Sequence, residues 1–267
     1  MLPAPPLSFD RVADEYERTR FLPQSVAHAV AERMLRDIDS EAWLLDAGVG
    51  TGRYARALAE RHPRRVAGVD VSRAMMERLD AVPAGGPHLV QADLRALPFA
   101  DGAFGGALAV HIFHLIANWP RALDEIWRVL RPGASLWLAK EDEGDLRVRG
   151  FYLKRAAEAG VLPPNPGART HEVSLALAGR GAQVREVDGG AESSAETPFC
   201  WERAWTGREM LDLLARRTYS VLWDIPEPAH RTLLAETRAW TLRTFGSLDV
   251  ADRAVTRLTL FEARKAL

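Results

Sequence analysis

The sequence predicts an α/β fold, with a parallel sheet covered by helices on both faces. Three observations carry this. Short apolar runs and amphipathic runs alternate five times in the first half of the chain. Three of the apolar runs end in an acid, at Asp46, Asp70 and Asp93. The first of them leads straight into Gly48, Gly50 and Gly52 and then a helical run. In sheets of this kind a ligand binds beyond the carboxyl ends of the strands, so the three carboxylates are expected to rim one crevice.

Taken in order, the chain opens on a Pro-rich stretch to Ser8. Phe9 to Arg20 reads as a helix with Tyr16 and Arg20 one turn apart, and Gln24 to Ile38 as a second with Val26, Val30 and Met34 on one face. Trp43 to Asp46 is the first strand. The glycines behind it allow a tight turn, and the helix that follows presents unpaired N–H groups suited to an anionic ligand group. His62-Pro63 stops that helix. Arg65 to Val69 forms a second strand ending at Asp70, and Ser72 caps the next helix through Leu79. After a Pro/Gly loop from Pro83 to Pro87, His88 to Ala92 leads to Asp93, and Asp101-Gly102 is a turn. Gly106 to Val110 is strand four. Pro120 starts a helix with Leu123, Ile126, Trp127 and Leu130 on its apolar face, and Ser135 to Ala139 is strand five.

The second half is less regular. Leu146 to Ala159 and Glu172 to Leu177 read as helices, Gln183 to Val187 as a strand and Ala254 to Ala263 as the last strand. Thr206 to Phe245 reads as two helices joined at Trp223 to Pro226. The expected organisation is a single domain over 1–267, with its binding core at about 40–142 and helical cap insertions at about 143–166 and 195–250. Trp201, Trp205, Tyr219, Trp223 and Trp240 fall in the second insertion, as cap core or as an aromatic pocket.

Composition narrows the function. A formal charge of −1 advertises no nucleic acid. The single cysteine excludes an internal disulfide. The N-terminus lacks the order of a signal peptide, and the long uncharged run Ala103 to Pro120 is too short and polar to span a bilayer. A soluble, cytoplasmic protein is expected. His111-x-x-His114 has no third ligand in its motif, so no metal is expected.

Four blocks in order resemble the class I S-adenosylmethionine-dependent methyltransferases, in the ubiquinone/menaquinone-methyltransferase-like (type 11) branch. They are LLDAGVGTGRYA, VAGVDVSRAMM, VQADLRALPFADGAF and ALAVHIFHLIANWPRALDEIWRVLRPGASLWLAKE. The resemblance covers about Ala42 to Glu141 and fades beyond it, where substrate choice would lie. It departs from the family's pattern at Gly105 and Ala134, which affects only local turns. It implies a Rossmann-like, seven-stranded, mostly parallel sheet with an antiparallel last strand. It also implies S-adenosylmethionine as methyl donor, S-adenosylhomocysteine as product and a small-molecule acceptor.

Residue by residue, the resemblance places Gly48, Gly50 and Gly52 against the methionyl part, with Asp46 at its ammonium. Asp70 would take both ribose hydroxyls, Val71 the adenine face, Asp93 the adenine amino group, and Leu94 the ring. His111 would line the methionine end, and Tyr16 and Arg20 would belong to an N-terminal lid. The methyl is already activated, so the protein has mainly to align the reactants and exclude water. An alcohol, phenol or protonated amine would also need a base, for which His111 and His114 are the candidates. Two other readings stand beside this one. The first is a protein that binds S-adenosylmethionine without transferring its methyl. The second is a nicotinamide-dependent oxidoreductase, although that reading wants G-x-G-x-x-G where this loop has alternate glycines. A nucleic-acid methyltransferase is disfavoured, because strand four ends in His111-Ile-Phe-His114 rather than an Asn/Asp-Pro-Pro-aromatic run.

Overall fold

The computed structural model describes residues 9–10, 20–79, 86–144, 146–164, 166–187 and 199–267. The helix expected from Phe9 to Arg20, with Tyr16, falls almost wholly outside the described residues. In chain order the elements begin α1 (Gln24–Leu35), β1 (Trp43–Ala47), α2 (Ala55–Arg61), β2 (Val66–Asp70), α3 (Arg73–Glu77), β3 (His88–Gln91), β4 (Phe104–Val110) and α4 (Trp119–Val129). They continue with β5 (Leu130–Asp142), α5 (Arg147–Glu158), α6 (Thr170–Gly179), β6 (Gln183–Val187), β7 (Cys200–Thr206), α7 (Gly207–Ala215), α8 (Glu227–Phe245) and β8 (Ala251–Arg264). Among the described residues, no helix is long and apolar enough to cross a membrane.

The sheet order is β3-β2-β1-β4-β5-β8-β6, with β7 paired to β8 off this path. Strands β1 to β5 run parallel, and β8 is antiparallel to both β6 and β7. The α/β class therefore holds, with one strand more than the seven expected. The extra strand is β7. Its pattern was hidden because one of its inward positions is Arg203, which is buried where a sequence reading expects an apolar residue. Strand β8 is long enough to serve two partners: Ala251 to Arg257 pairs with β7 and Leu260 to Arg264 with β6.

The chain divides into two compact units within β5 and β8. The first comprises Met1–Lys140, Pro166–Phe199 and Leu258–Leu267; the second comprises Glu141–Asn165 and Cys200–Arg257. In the first unit, Leu123, Ile126 and Val129 of α4 are buried with Leu45, Val69 and Leu136. Each fully buried Leu or Ile there contributes roughly 1.5–3 kcal/mol. In the second unit, Tyr152 of α5 lies in one apolar cluster with Met210, Leu213, Tyr219, Leu222 and Leu233. Trp205 and Trp240 pack against that cluster, so much of the aromatic set is core.

Register explains where the acids lie. Asp46 sits opposite Gly68 on β2 and Leu108 on β4, and Asp70 sits opposite Gln91 on β3. The carboxyl ends of β1, β2 and β3 are thus neighbours.

Candidate functional site

The site begins where β1 meets the glycine bend. The buried Asp46 carboxylate accepts from the backbone N–H of Ala55, the first residue of α2. Burial, and secondly the Asp70 charge, push the Asp46 carboxyl up to about 7. The bend itself is internally tied. Gly48 N and Val49 N both donate to Val69 O, at 2.8 and 2.9 Å, and Gly52 N donates to Val49 O at 2.8 Å. Gly50 N donates to Asp70 Oδ2 at 2.9 Å.

Glycine is required here by the protein's own packing. Gly48 and Gly52 have φ of 81° and 78°. A Cβ on Gly52 would lie 2.2 Å from Leu79 Cδ1, and one on Gly48 would lie 2.9 Å from Ile112 Cδ1. The sequence reading turns bare main chain toward a ligand. In the structure these Cβ positions point at the chain's own side chains, and several of the bend's N–H groups already have acceptors.

Asp70 joins the loops after β1 and β2. Besides Gly50 it takes the N–H of Ser72, at 2.8 Å to Oδ1, and that of Val71. Burial raises its pKa above the ordinary carboxylate value against these three bonds, and Asp10 adds to the rise. An ionised carboxylate has about four acceptor positions, so Asp70 keeps room for about one further donor. Ser72 Oγ donates to Asp10 and accepts from Met75 N at 3.1 Å, capping α3. Val71 is half-buried on the bend after β2.

Asp93 lies just beyond β3, but its carboxylate is engaged. Arg95 Nε lies 3.1 and 3.0 Å from its two oxygens, and Arg95 Nη2 donates to Oδ2 at 2.7 Å. Against the upward push of burial, the Arg95 bonds hold Asp93 below the ordinary range. Leu94 is buried within the apolar core, so its side chain belongs to packing. The structure thus couples Asp46 with Asp70 and pairs Asp93 with Arg95. Sequence reasoning missed Arg95, although an Asp-x-Arg spacing is the signal for such a pair.

The turn after β4 supplies the remaining residues. His111 has φ of 50°, an uncommon conformation for a non-glycine residue. Its ring meets that of His114 edge-on, with centroids 6.2 Å apart. Burial, then His111 and the Arg20 charge, push the His114 imidazole down to about 4. Arg20 thus acts on this turn through its charge, while Tyr16 lies outside the described residues. Gly167 locks the turn from the other side: a Cβ there would lie 1.9 Å from Phe113 O, which accepts from Ala168 N at 3.1 Å.

Comparison with known proteins fits this arrangement. Residues 45–138 match the family described as "Methyltransferase domain". The O-methyltransferase resE of Aspergillus sclerotiorum is 33% identical over 127 residues, 43% of this chain and 48% of that protein. A malonyl-[acyl-carrier protein] O-methyltransferase of Halorhodospira halophila is 33% identical over 158 residues, 58% of this chain and 54% of that protein. A demethylmenaquinone methyltransferase of Thermus thermophilus is 39% identical over 97 residues, 35% of this chain and 44% of that protein. The chain spans about half the length of the curated relatives it matches. Among solved structures, the YcgJ protein of Bacillus subtilis superposes with a TM-score of 0.58 at 15% identity, over 91% of this chain and 98% of that one. The [4+2]-cyclase SpnF superposes with a TM-score of 0.56 at 16% identity, over 97% and 94%. Residues 45–138 of this chain are thus similar to the methyltransferase domain family, and the chain shares the fold of these solved structures.

Proposed function

We propose that this chain is an S-adenosylmethionine-dependent methyltransferase acting on a small molecule. The observation that carries the reading is the Asp46–Asp70 pair beside the glycine bend, inside the matched segment. Its chemistry suits the donor. A buried carboxyl poised at about 7 is stabilised as an anion by an incoming cation such as an ammonium. Asp70, fixed by three backbone N–H groups, keeps about one acceptor position for a hydroxyl of a diol. Bound S-adenosylmethionine would supply an activated methyl, open to direct displacement. The chain's own part is to hold the donor through Asp46 and Asp70, to align the acceptor and to exclude water.

His114, uncharged at neutral pH and with a pKa of about 4, is a weak base there, which leaves His111 as the better candidate for taking an acceptor proton. Relatives named as O-methyltransferases favour oxygen as the accepting atom. Calorimetry with S-adenosylmethionine tests the reading. The wild type should bind it, and Asp70→Ala should lose about 1.5–3 kcal/mol of binding free energy. Unchanged binding by that variant would remove the support. Asp93, paired with Arg95, should matter less than Asp70 in the same assay.

The runner-up is a protein that binds this nucleoside without transferring its methyl. It is favoured by one fact, that a [4+2]-cyclase shares the fold. Labelled-methyl transfer across a metabolite panel separates the two readings. The nicotinamide reading would need NADH to bind more tightly than S-adenosylmethionine.

A further inference from the structure

We propose that the second unit holds a binding site for a carboxylate-bearing small molecule, formed around Trp201, Arg203 and Thr256 on the β7–β8 hairpin. That this molecule is the methyl acceptor rests on the functional reading above; the site itself does not.

The hairpin register brings the groups together. Trp201 lies directly opposite Thr256, and Arg203 lies opposite Ala254. Directly opposed residues of an antiparallel pair project from the same face. That face is the buried one: Trp201, Arg203 and Thr256 are 8%, 5% and 0% exposed, while Glu202 and Ala204, which alternate with Trp201 and Arg203 along β7, are exposed. A face turned inward in a unit of this size would ordinarily be apolar. Here it carries an indole N–H, a guanidinium and a hydroxyl.

Arg203 is partnered, whereas among the described residues the other two groups are not. Arg203 Nη1 donates to Glu143 Oε1 at 2.9 Å, and Arg149 donates to the other oxygen of the same carboxylate. Two guanidiniums therefore converge on one carboxylate, and Arg149 also lies 5.2 Å from the Tyr219 ring centroid. Asp252, the next buried acid on β8, is held by Arg147 and the N–H of Val148. Trp201 Nε1 and Thr256 Oγ1 are buried and have no hydrogen-bond partner among the described residues. An indole N–H can only donate, and a hydroxyl is free to donate. Folded proteins leave few such atoms unsatisfied. What both lack is an acceptor oxygen, and beside paired guanidiniums the oxygen that fits best is that of a carboxylate.

The test uses the full chain, labelled with nitrogen-15, with benzoate and hexanoate as probes and benzyl alcohol and hexanol as controls. Trp201→Phe identifies the Trp201 indole N–H signal. The acids should move that signal downfield and the alcohols should not. Thr256→Val should weaken acid binding about tenfold while leaving S-adenosylmethionine binding unchanged. Without ligand, the same variant should melt no lower than wild type, because its hydroxyl has no partner among the described residues to lose. An indole signal unmoved by either acid, or moved equally by the alcohols, overturns the site. So does a lower melting temperature of Thr256→Val, which would reveal a partner inside the protein. Benzoate binding by a wild type that ignores S-adenosylmethionine would support the site and sink the functional reading.

Discussion

Asp46 couples folding to pH in a direction unusual for a carboxylate. Its pKa is near 3.8 when exposed and about 7 when folded, because the native state buries it beside Asp70. Between those values the folded protein holds a proton that the unfolded chain has released. Stability from this group is therefore full below about pH 4 and falls as pH rises toward 7. The loss is on the order of 4 kcal/mol at most. Asp46→Asn, which carries no charge in either state, should flatten that slope, and urea melts at pH 5 and pH 8 measure it directly. A cation bound beside Asp46 should act oppositely, releasing a proton on binding near pH 6–7. His114 makes a second residue-scale prediction. Burial, His111 and Arg20 push its pKa down to about 4, so NMR titration should find its ring neutral at pH 6. A midpoint near the ordinary value of about 6.5 would mean that the ring is far more solvated than its packing implies.

The glycine bend shows how an element reads differently in sequence and in space. Alternate glycines after an apolar run ending in Asp46 were enough to place a strand, a turn and a helix. The same residues do not reveal that Leu79 and Ile112 occupy the space where Cβ atoms would stand, since those neighbours are remote in the chain. Two glycines with similar φ separate the effects. Gly52 and Gly181 have φ of 78° and 81°, but a Cβ meets Leu79 in the first case and nothing within 4 Å in the second. Gly181→Ala should cost about 1–2 kcal/mol from backbone strain alone. Gly52→Ala should cost about 2–4 kcal/mol, strain and overpacking together, in parallel denaturant melts. The three strand-end acids were legible because parallel strands put their carboxyl ends on one side. The proton on Asp46, the Arg95 clasp on Asp93 and the inward Arg203 of β7 were not. The first and last depend on burial that no periodicity records, and the Arg95 clasp is hinted at only by the Asp-x-Arg spacing.

At the scale of the molecule, the two units have separate apolar clusters with no residue in common. All the matched segment, 45–138, lies in the first. A donor bound at Asp46 and Asp70 at a hundredfold excess over its Kd stabilises the state that binds it by about 2.7 kcal/mol. That stabilisation slows only those amide exchanges whose opening disrupts the site. Hydrogen exchange should therefore slow with S-adenosylmethionine in the segments 47–53 and 70–72. The same ligand should leave the helices 207–215 and 227–245 of the second unit exchanging at their former rates, since local openings there leave Asp46 and Asp70 in place. Equal slowing in both units would mean that every opening of the second passes through unfolding of the first, so that the two cores melt as one cooperative body. Slowing confined to the second unit would place the nucleoside away from the glycine bend, against the assignment of Asp46 and Asp70.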